Sequence, residues 1–134
     1  MIGLLLLAHD GIGQAFMAAI THIFGSTPPA LRVLEILPDQ GLEESRRRLH
    51  QALEDLDEGD GVLVLTDLFG ATPSNLLLTV LRPGRVEAVS GLNLPMLLRA
   101  LSRRADGLTA AREGALDGAH QGIVDLTAHA AAKH

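Results

Sequence analysis

Apolar positions along this chain recur with two different periods, and the two alternate. Ile2 to Ala8 is an apolar run interrupted only by Gly3, and it stops at His9-Asp10-Gly11. A run of that length, closed by a turn dipeptide, reads as a strand buried on both faces. The spacing then becomes helical. Ile12, Phe16, Ile20 and Ile23 form a stripe with Ala15 and Ala19 beside it, stopped by Gly25-Ser26-Thr27-Pro28-Pro29. Leu31 to Leu37 alternates with Arg32 and Glu35, which predicts a second strand at a sheet edge. After the Pro38-Asp39-Gln40-Gly41 turn, Leu42, Leu49, Leu53 and Leu56 mark a second helix. Gly61 to Thr66 is another buried run, and it closes on Asp67. Thr72-Pro73 predicts a third helix, with Thr72 as N-cap and Pro73 in the first helical position. Arg85 to Ser90 reads as a fourth strand. Pro95 opens a short helix through about Leu101, and Leu108 to about Ala130 reads as one long final helix.

Alternation of this kind specifies a parallel sheet with right-handed crossovers and helices on both faces. The first and third strands are the most apolar and belong in the centre. The expected fold is therefore a doubly wound, flavodoxin-like α/β sheet with strand order 2-1-3-4. The winding reverses between strands 1 and 3, so the crevice at their carboxyl ends is the topological switch point, where such folds gather ligands. His9 ends one of these strands and Asp67 the other, so the two side chains are expected within hydrogen-bond reach.

Composition narrows the chemistry. The 134 residues are expected to form one domain spanning 1–134. With no cysteine, thiol catalysis and thiolate metal sites are excluded. A net charge of −5 argues against non-specific nucleic-acid binding. Lys133 is the only lysine and no G-x-x-x-x-G-K-[ST] pattern is present, so there is no P-loop. The apolar runs are too short to span a bilayer and no export signal is recognisable, which predicts a cytoplasmic protein. His22, His50, His120, His129 and His134 lack the paired spacing of a metal site, so no metal or other cofactor is expected. Arg46-Arg47-Arg48 lies opposite the leucine stripe of the second helix and reads as a solvated face.

The loop after Asp67 reads Leu68-Phe69-Gly70-Ala71-Thr72-Pro73-Ser74-Asn75. Gly70 and Ala71 leave the backbone open, and the helix start at Thr72 supplies a hydroxyl and N–H groups that suit a phosphate. A second loop, Ser90 to Leu97, leaves the fourth strand toward the same rim. Leu68, Phe69, Leu92 and Met96, with Asn93, are candidates for an exposed docking surface around His9. An imidazole, a carboxylate able to fix its tautomer and an anion-binding helix start together point to a phosphorylated histidine, with the ring as nucleophile and leaving group.

At these residues the chain resembles the IIA component of the bacterial phosphoenolpyruvate-dependent sugar phosphotransferase system (PTS), mannose type. The matching pieces are Ala8-His9-Asp10-Gly11, Thr66-Asp67 with Gly70 to Asn75, and Gly91-Leu92-Asn93-Leu94-Pro95-Met96-Leu97. They fall in order within a resemblance running from Met1 to about Leu126. The resemblance implies that His9 takes phosphate from the phosphorylated carrier HPr and passes it to a IIB protein, while Asp67 holds the ring. It also implies a homodimer, an indirect link to a membrane IIC/IID permease, and a cytoplasmic location at most peripheral to that permease. The role is sugar uptake or a regulatory relay. Family members can exchange a C-terminal strand, but Thr127 to His134 looks helical here. Three alternatives compete with this reading. A phosphoaspartate receiver lacks its acidic pair and its rim lysine. A small metal-dependent hydrolase would have only His9, Asp10 and Asp67 as ligands. The IIA-like phosphotransferase subunit of a dihydroxyacetone kinase is the nearest rival, and the Gly91-to-Leu97 loop favours the mannose type instead.

Overall fold

Four strands form one all-parallel sheet in the order β2-β1-β3-β4: β1 (Gly3–His9), β2 (Leu31–Ile36), β3 (Val62–Thr66) and β4 (Val86–Ser90). The computed structural model describes residues 1–68, 70 and 72–132, the Ser74 side chain excepted. Around the sheet lie α1 (Ile12–Phe24), α2 (Leu42–Leu56), α3 (Thr72–Leu78), α4 (Leu94–Arg103), a 3₁₀ turn (Arg104–Asp106), α5 (Leu108–Gln121) and α6 (Leu126–Ala132). The expected strand order and the doubly wound architecture are those observed.

The apolar run of β1 makes this arrangement possible, because a strand with both faces apolar must be covered twice. Leu4 and Leu6 pack into one layer with Ile20 of α1, Met96 and Leu97 of α4, and Ala111 of α5. Leu5 and Leu7 face the other way, into Leu49 and Leu53 of α2 and Leu76 of α3. All four leucines are fully buried.

Three expectations are corrected. The buried face of α1 is Gly13, Phe16, Met17 and Ile20, and Ile12 and Ile23 are exposed. A Cβ on Gly13 would stand 2.6 Å from Val33 Cγ1, so the glycine lets the helix sit against β2 and turns the stripe by about one residue. Next, α3 begins at Thr72, making Thr72 its first helical residue and Pro73 its second rather than cap and first. Proline fits either place, since neither N–H has an intrahelical partner. Finally, Leu108 to Ala130 is not one helix: α5 ends at Gln121, and the Asp125 carboxylate accepts the Ala128 N–H (3.1 Å) at the start of α6.

Before the break, α5 packs tightly against α4. Gly114, Gly118 and Gly122 lie four residues apart on the side of α5 that meets α4. A Cβ at Gly118 would stand 2.5 Å from Arg99 Cβ and 2.7 Å from the Pro95 carbonyl oxygen, and one at Gly122 would stand 2.3 Å from Pro95 Cγ. The two helices approach as closely as backbone allows. Past Gly122 the chain leaves the fold, with Ile123, Val124 and Leu126 exposed.

Candidate functional site

His9 is the last residue of β1 and pairs in register with Ile36 of β2. On the other side Leu7 pairs with Thr66, the last residue of β3, so Asp67 emerges beside the His9 backbone. One carboxylate oxygen, Asp67 Oδ2, accepts both the His9 backbone N–H (3.0 Å) and the ring at Nδ1 (2.8 Å). An ionised carboxylate can only accept, so Nδ1 carries the proton and Nε2 is left with its lone pair. Among the described residues Nε2 has no hydrogen-bond partner. The histidine side chain is 45% exposed and the aspartate 10%, so the ring reaches solvent while its anchor is held inside.

The electrostatics agree with the geometry. Burial pushes the Asp67 carboxyl up, but the His9 backbone N–H, the ring hydrogen bond and the ring charge together outweigh it. The group sits below the ordinary carboxylate range. Asp67 is therefore an anion, and Oδ1, its other oxygen, is buried with no hydrogen-bond partner among the described residues.

A cleft of about 620 Å³ opens beside the ring, lined on one side by Leu37, Pro38, Gln40 and Leu42 and on the other by Thr72 and Pro73. Gln40 and Ser45, which also lines the cleft, were not singled out in the sequence. Gln40 Oε1 accepts from Arg48 Nη1 (2.8 Å) and from Ser45 Oγ (3.4 Å). Arg48 thus buttresses the cleft, whereas Arg46 and Arg47 pair along the helix surface with Glu43 and Glu44 as a solvated face should. The only sequence signal for Gln40 was its place in a turn.

The remaining candidates separate. Thr72 is exposed at the mouth of the cleft, and Gly70, at φ +90°, makes the turn between Asp67 and α3. Leu68 is 59% exposed and stays available for docking. Ala71 and Phe69 lie outside the described residues. Leu92 and Met96 are corrections: they are 9% and 2% exposed and belong to the core layer under α4, so they offer no docking surface. The Leu92 N–H bonds to the Thr66 carbonyl (3.0 Å), and Asn93 Oδ1 caps α4 by accepting the Met96 N–H (2.8 Å). That loop is a strut fixing the residue before Asp67. Among the described residues, the exposed apolar side chains at the rim are Ile12, Leu37, Leu42 and Leu68. Among the described residues no group of three or more His, Cys, Asp or Glu could hold a metal ion, so the hydrolase alternative has no ligand set there.

Comparison with known proteins meets this geometry. A family model described as "PTS system fructose IIA component" matches residues 3–113. The fructose-specific EIIA component of the Bacillus subtilis PTS (strain 168) is 32% identical over 105 residues, covering 78% of this chain and 71% of that protein. A sorbose-specific EIIA component from Lacticaseibacillus casei is 31% identical over 96 residues, covering 71% of this chain and 68% of its own. The crystal structure of a phosphotransferase system component EIIA from Streptococcus agalactiae superposes with a TM-score of 0.84 at 26% identity, covering 96% of this chain and 99% of the other.

Proposed function

The chain belongs to the fructose IIA family of the sugar phosphotransferase system, whose members transfer phosphate through histidine, and from that premise we propose that His9 is the residue that carries it here. The observation that carries this reading is the His9 Nδ1 to Asp67 Oδ2 bond of 2.8 Å, which leaves Nε2 as the nucleophile at the edge of the cleft. Phosphorylated HPr is the donor and a IIB protein the acceptor.

In the transfer, the Nε2 lone pair attacks phosphorus in line with the donor's P–N bond. That bond breaks, and its electron pair returns to the donor imidazole. The His9 ring keeps its Nδ1 proton and becomes a phosphorylated cation, which the Asp67 carboxylate neutralises from behind. Tying both the His9 backbone N–H and the ring Nδ1 to one carboxylate oxygen restricts the ring before the donor arrives, which is the main contribution a protein can make to a step of this kind. The equatorial phosphoryl oxygens rest near the Thr72 hydroxyl and the start of α3, with Gly70 in the turn after Asp67.

The reading extends to the molecule's surroundings. Ile12, Leu37, Leu42 and Leu68 replace the buried Leu92 and Met96 as the docking rim, where donor and acceptor seat in turn. Residues 1–134 act as one IIA unit in the cytoplasm, linked to a IIC/IID permease only through IIB. No helix among the described residues is long and apolar enough to cross a membrane. The exposed Ile123, Val124 and Leu126 are proposed to be covered by a second copy in a homodimer. Sugar uptake and a regulatory relay use the same site chemistry.

The test is to incubate the protein with phosphoenolpyruvate, enzyme I and HPr and to map the acid-labile phosphate. Labelling confined to His9, and abolished in His9→Ala, is expected. Labelling that survives the substitution sinks the assignment.

A further inference from the structure

The cleft beside His9 is short of positive charge. Among its described lining it holds the Asp10 carboxylate and no lysine or arginine, and the anionic Asp67 holds the ring itself. A phosphoryl group on His9 brings negative oxygens into that setting, so its stabilisation must come from N–H and O–H donors aimed at the cleft. Thr72 supplies one side. The His9 side chain continues the Leu5 and Leu7 face of β1, which is turned to α2 and α3. The ring therefore stands between the start of α3 and the turn that leads into α2.

Gln40 sits in that turn, just before Gly41 caps α2, and lines the cleft half-buried. Arg48 Nη1 (2.8 Å) and Ser45 Oγ (3.4 Å) both donate to its side chain. An arginine has no acceptor to offer, so the amide atom facing Arg48 is the oxygen, Oε1. The carboxamide is planar, and fixing Oε1 fixes Nε2 on its other side. Nε2 donates to nothing among the described residues and is not sealed from solvent. Gln40 thus offers oriented N–H donors without partners on the cleft that holds His9. Arg48 Nη1 also donates to the Glu35 carbonyl (3.3 Å), which ties it to β2. An amide oxygen that accepts from a charged donor is polarised, and this strengthens the N–H groups at the far end of the same amide. The charge of Arg48 is in this way felt in a cleft that the guanidinium does not line.

We propose that the Gln40 amide is a second phosphate-binding donor. Its Nε2–H reaches an equatorial oxygen of the phosphoryl group on His9 from the side opposite Thr72, with Arg48 as the positioning residue behind it. The inference rests on the phosphocarrier reading of His9. No proton moves in the contact: both stay on Nε2, and the bonds made and broken are the P–N bonds of the transfer. The hydrogen bond strengthens as charge spreads over the equatorial oxygens, so Gln40 acts on the transfer step itself.

Two substitutions separate this role from a merely structural one. Gln40→Glu keeps an acceptor for Arg48 and Ser45 but removes the donor and adds a negative charge. Gln40→Met loses donor and acceptor together at similar length. Single-turnover transfer from saturating phosphorylated HPr should slow by roughly 10-fold in Gln40→Met and roughly 10²-fold in Gln40→Glu. A structural buttress predicts the reverse order, because Gln40→Glu preserves its contacts. In the ¹⁵N-labelled wild type, the Gln40 side-chain amide protons should move downfield when phosphoenolpyruvate, enzyme I and HPr phosphorylate the chain, a readout that needs no variant to fold. Wild-type transfer in Gln40→Glu, slower transfer in Gln40→Met than in Gln40→Glu, or an unmoved amide pair with phosphate mapped to His9 would each overturn this role and leave the phosphocarrier reading standing. Phosphate mapped to another residue would remove both.

Discussion

Asp67 carries two loads that its substitutions separate. It orients the ring through Oδ2, and it accepts the His9 backbone N–H with the same atom. Asp67→Asn keeps the shape but supplies an amide whose NH₂ can face Nδ1 and stabilise the wrong tautomer. Phosphoryl transfer from HPr should fall by roughly 10² or more, with the far-ultraviolet circular dichroism unchanged. Wild-type rates in a folded Asp67→Asn protein would show that the carboxylate does not orient the ring. The carboxyl also gives a pH signature. Because its folded pKa lies below the ordinary value, its stabilising effect is fully present above about pH 4 and is lost as the pH falls through that lower folded value. Urea midpoints measured from pH 6 down to pH 2 should therefore drop less steeply in Asp67→Asn than in the wild type. Thr72 is exposed and contributes little to the unphosphorylated fold, so Thr72→Ala should leave its melting temperature nearly unchanged. The phosphorylated form should lose phosphate faster in that variant, as read by the decay of labelled protein.

At the scale of elements, the contact between α4 and α5 inverts an ordinary rule. Glycine in an exposed helix interior is worse than alanine by about 1 kcal/mol. At Gly118 the new methyl would meet Arg99 Cβ at 2.5 Å and the Pro95 carbonyl oxygen at 2.7 Å, and a backbone atom cannot swing away. Gly118→Ala should therefore destabilise by about 1–3 kcal/mol, read from denaturant midpoints, and a stabilised variant would disprove the close approach. Element types were legible in the sequence because the periods were clear, as in β1, β3 and α2. The close packing at the end of α5 was not, because the residue it meets, Pro95, belongs to a different helix. The sequence near Gly122 reads as a tolerable helical glycine; only the position of Pro95, whose Cγ would stand 2.3 Å from a Cβ there, shows why no larger residue fits.

For the whole molecule, the chain beyond Gly122 is the informative region. Ile123 is 76% exposed and Leu126 72%, while α6 buries none of its residues. A segment this apolar and this uncovered fits the proposed homodimer better than a free tail. Sedimentation should give the mass of a dimer at micromolar concentration, and a paired Ile123→Asp, Leu126→Asp variant should sediment as a monomer with an unchanged fold. A wild type that sediments as a monomer throughout would remove the dimer from the proposal.

The sequence alone determined the parallel α/β sheet, its strand order and the meeting of His9 with Asp67. Each follows from local signals: unbroken apolar runs mark central strands, and a residue at the end of a central strand has only one rim on which to emerge. Tertiary structure decided what depends on distant neighbours. It chose Nδ1 rather than Nε2 as the nitrogen held by Asp67, since that depends on how the ring turns once the strands are paired. It put Leu92 and Met96 inside, because a loop leaving β4 folds back onto the Thr66 carbonyl before its helix starts. It brought Gln40 and Arg48 to the cleft and left Arg104 Nη1 buried with no hydrogen-bond partner among the described residues, since which side chains face each other across packed elements is not written in the spacing of either.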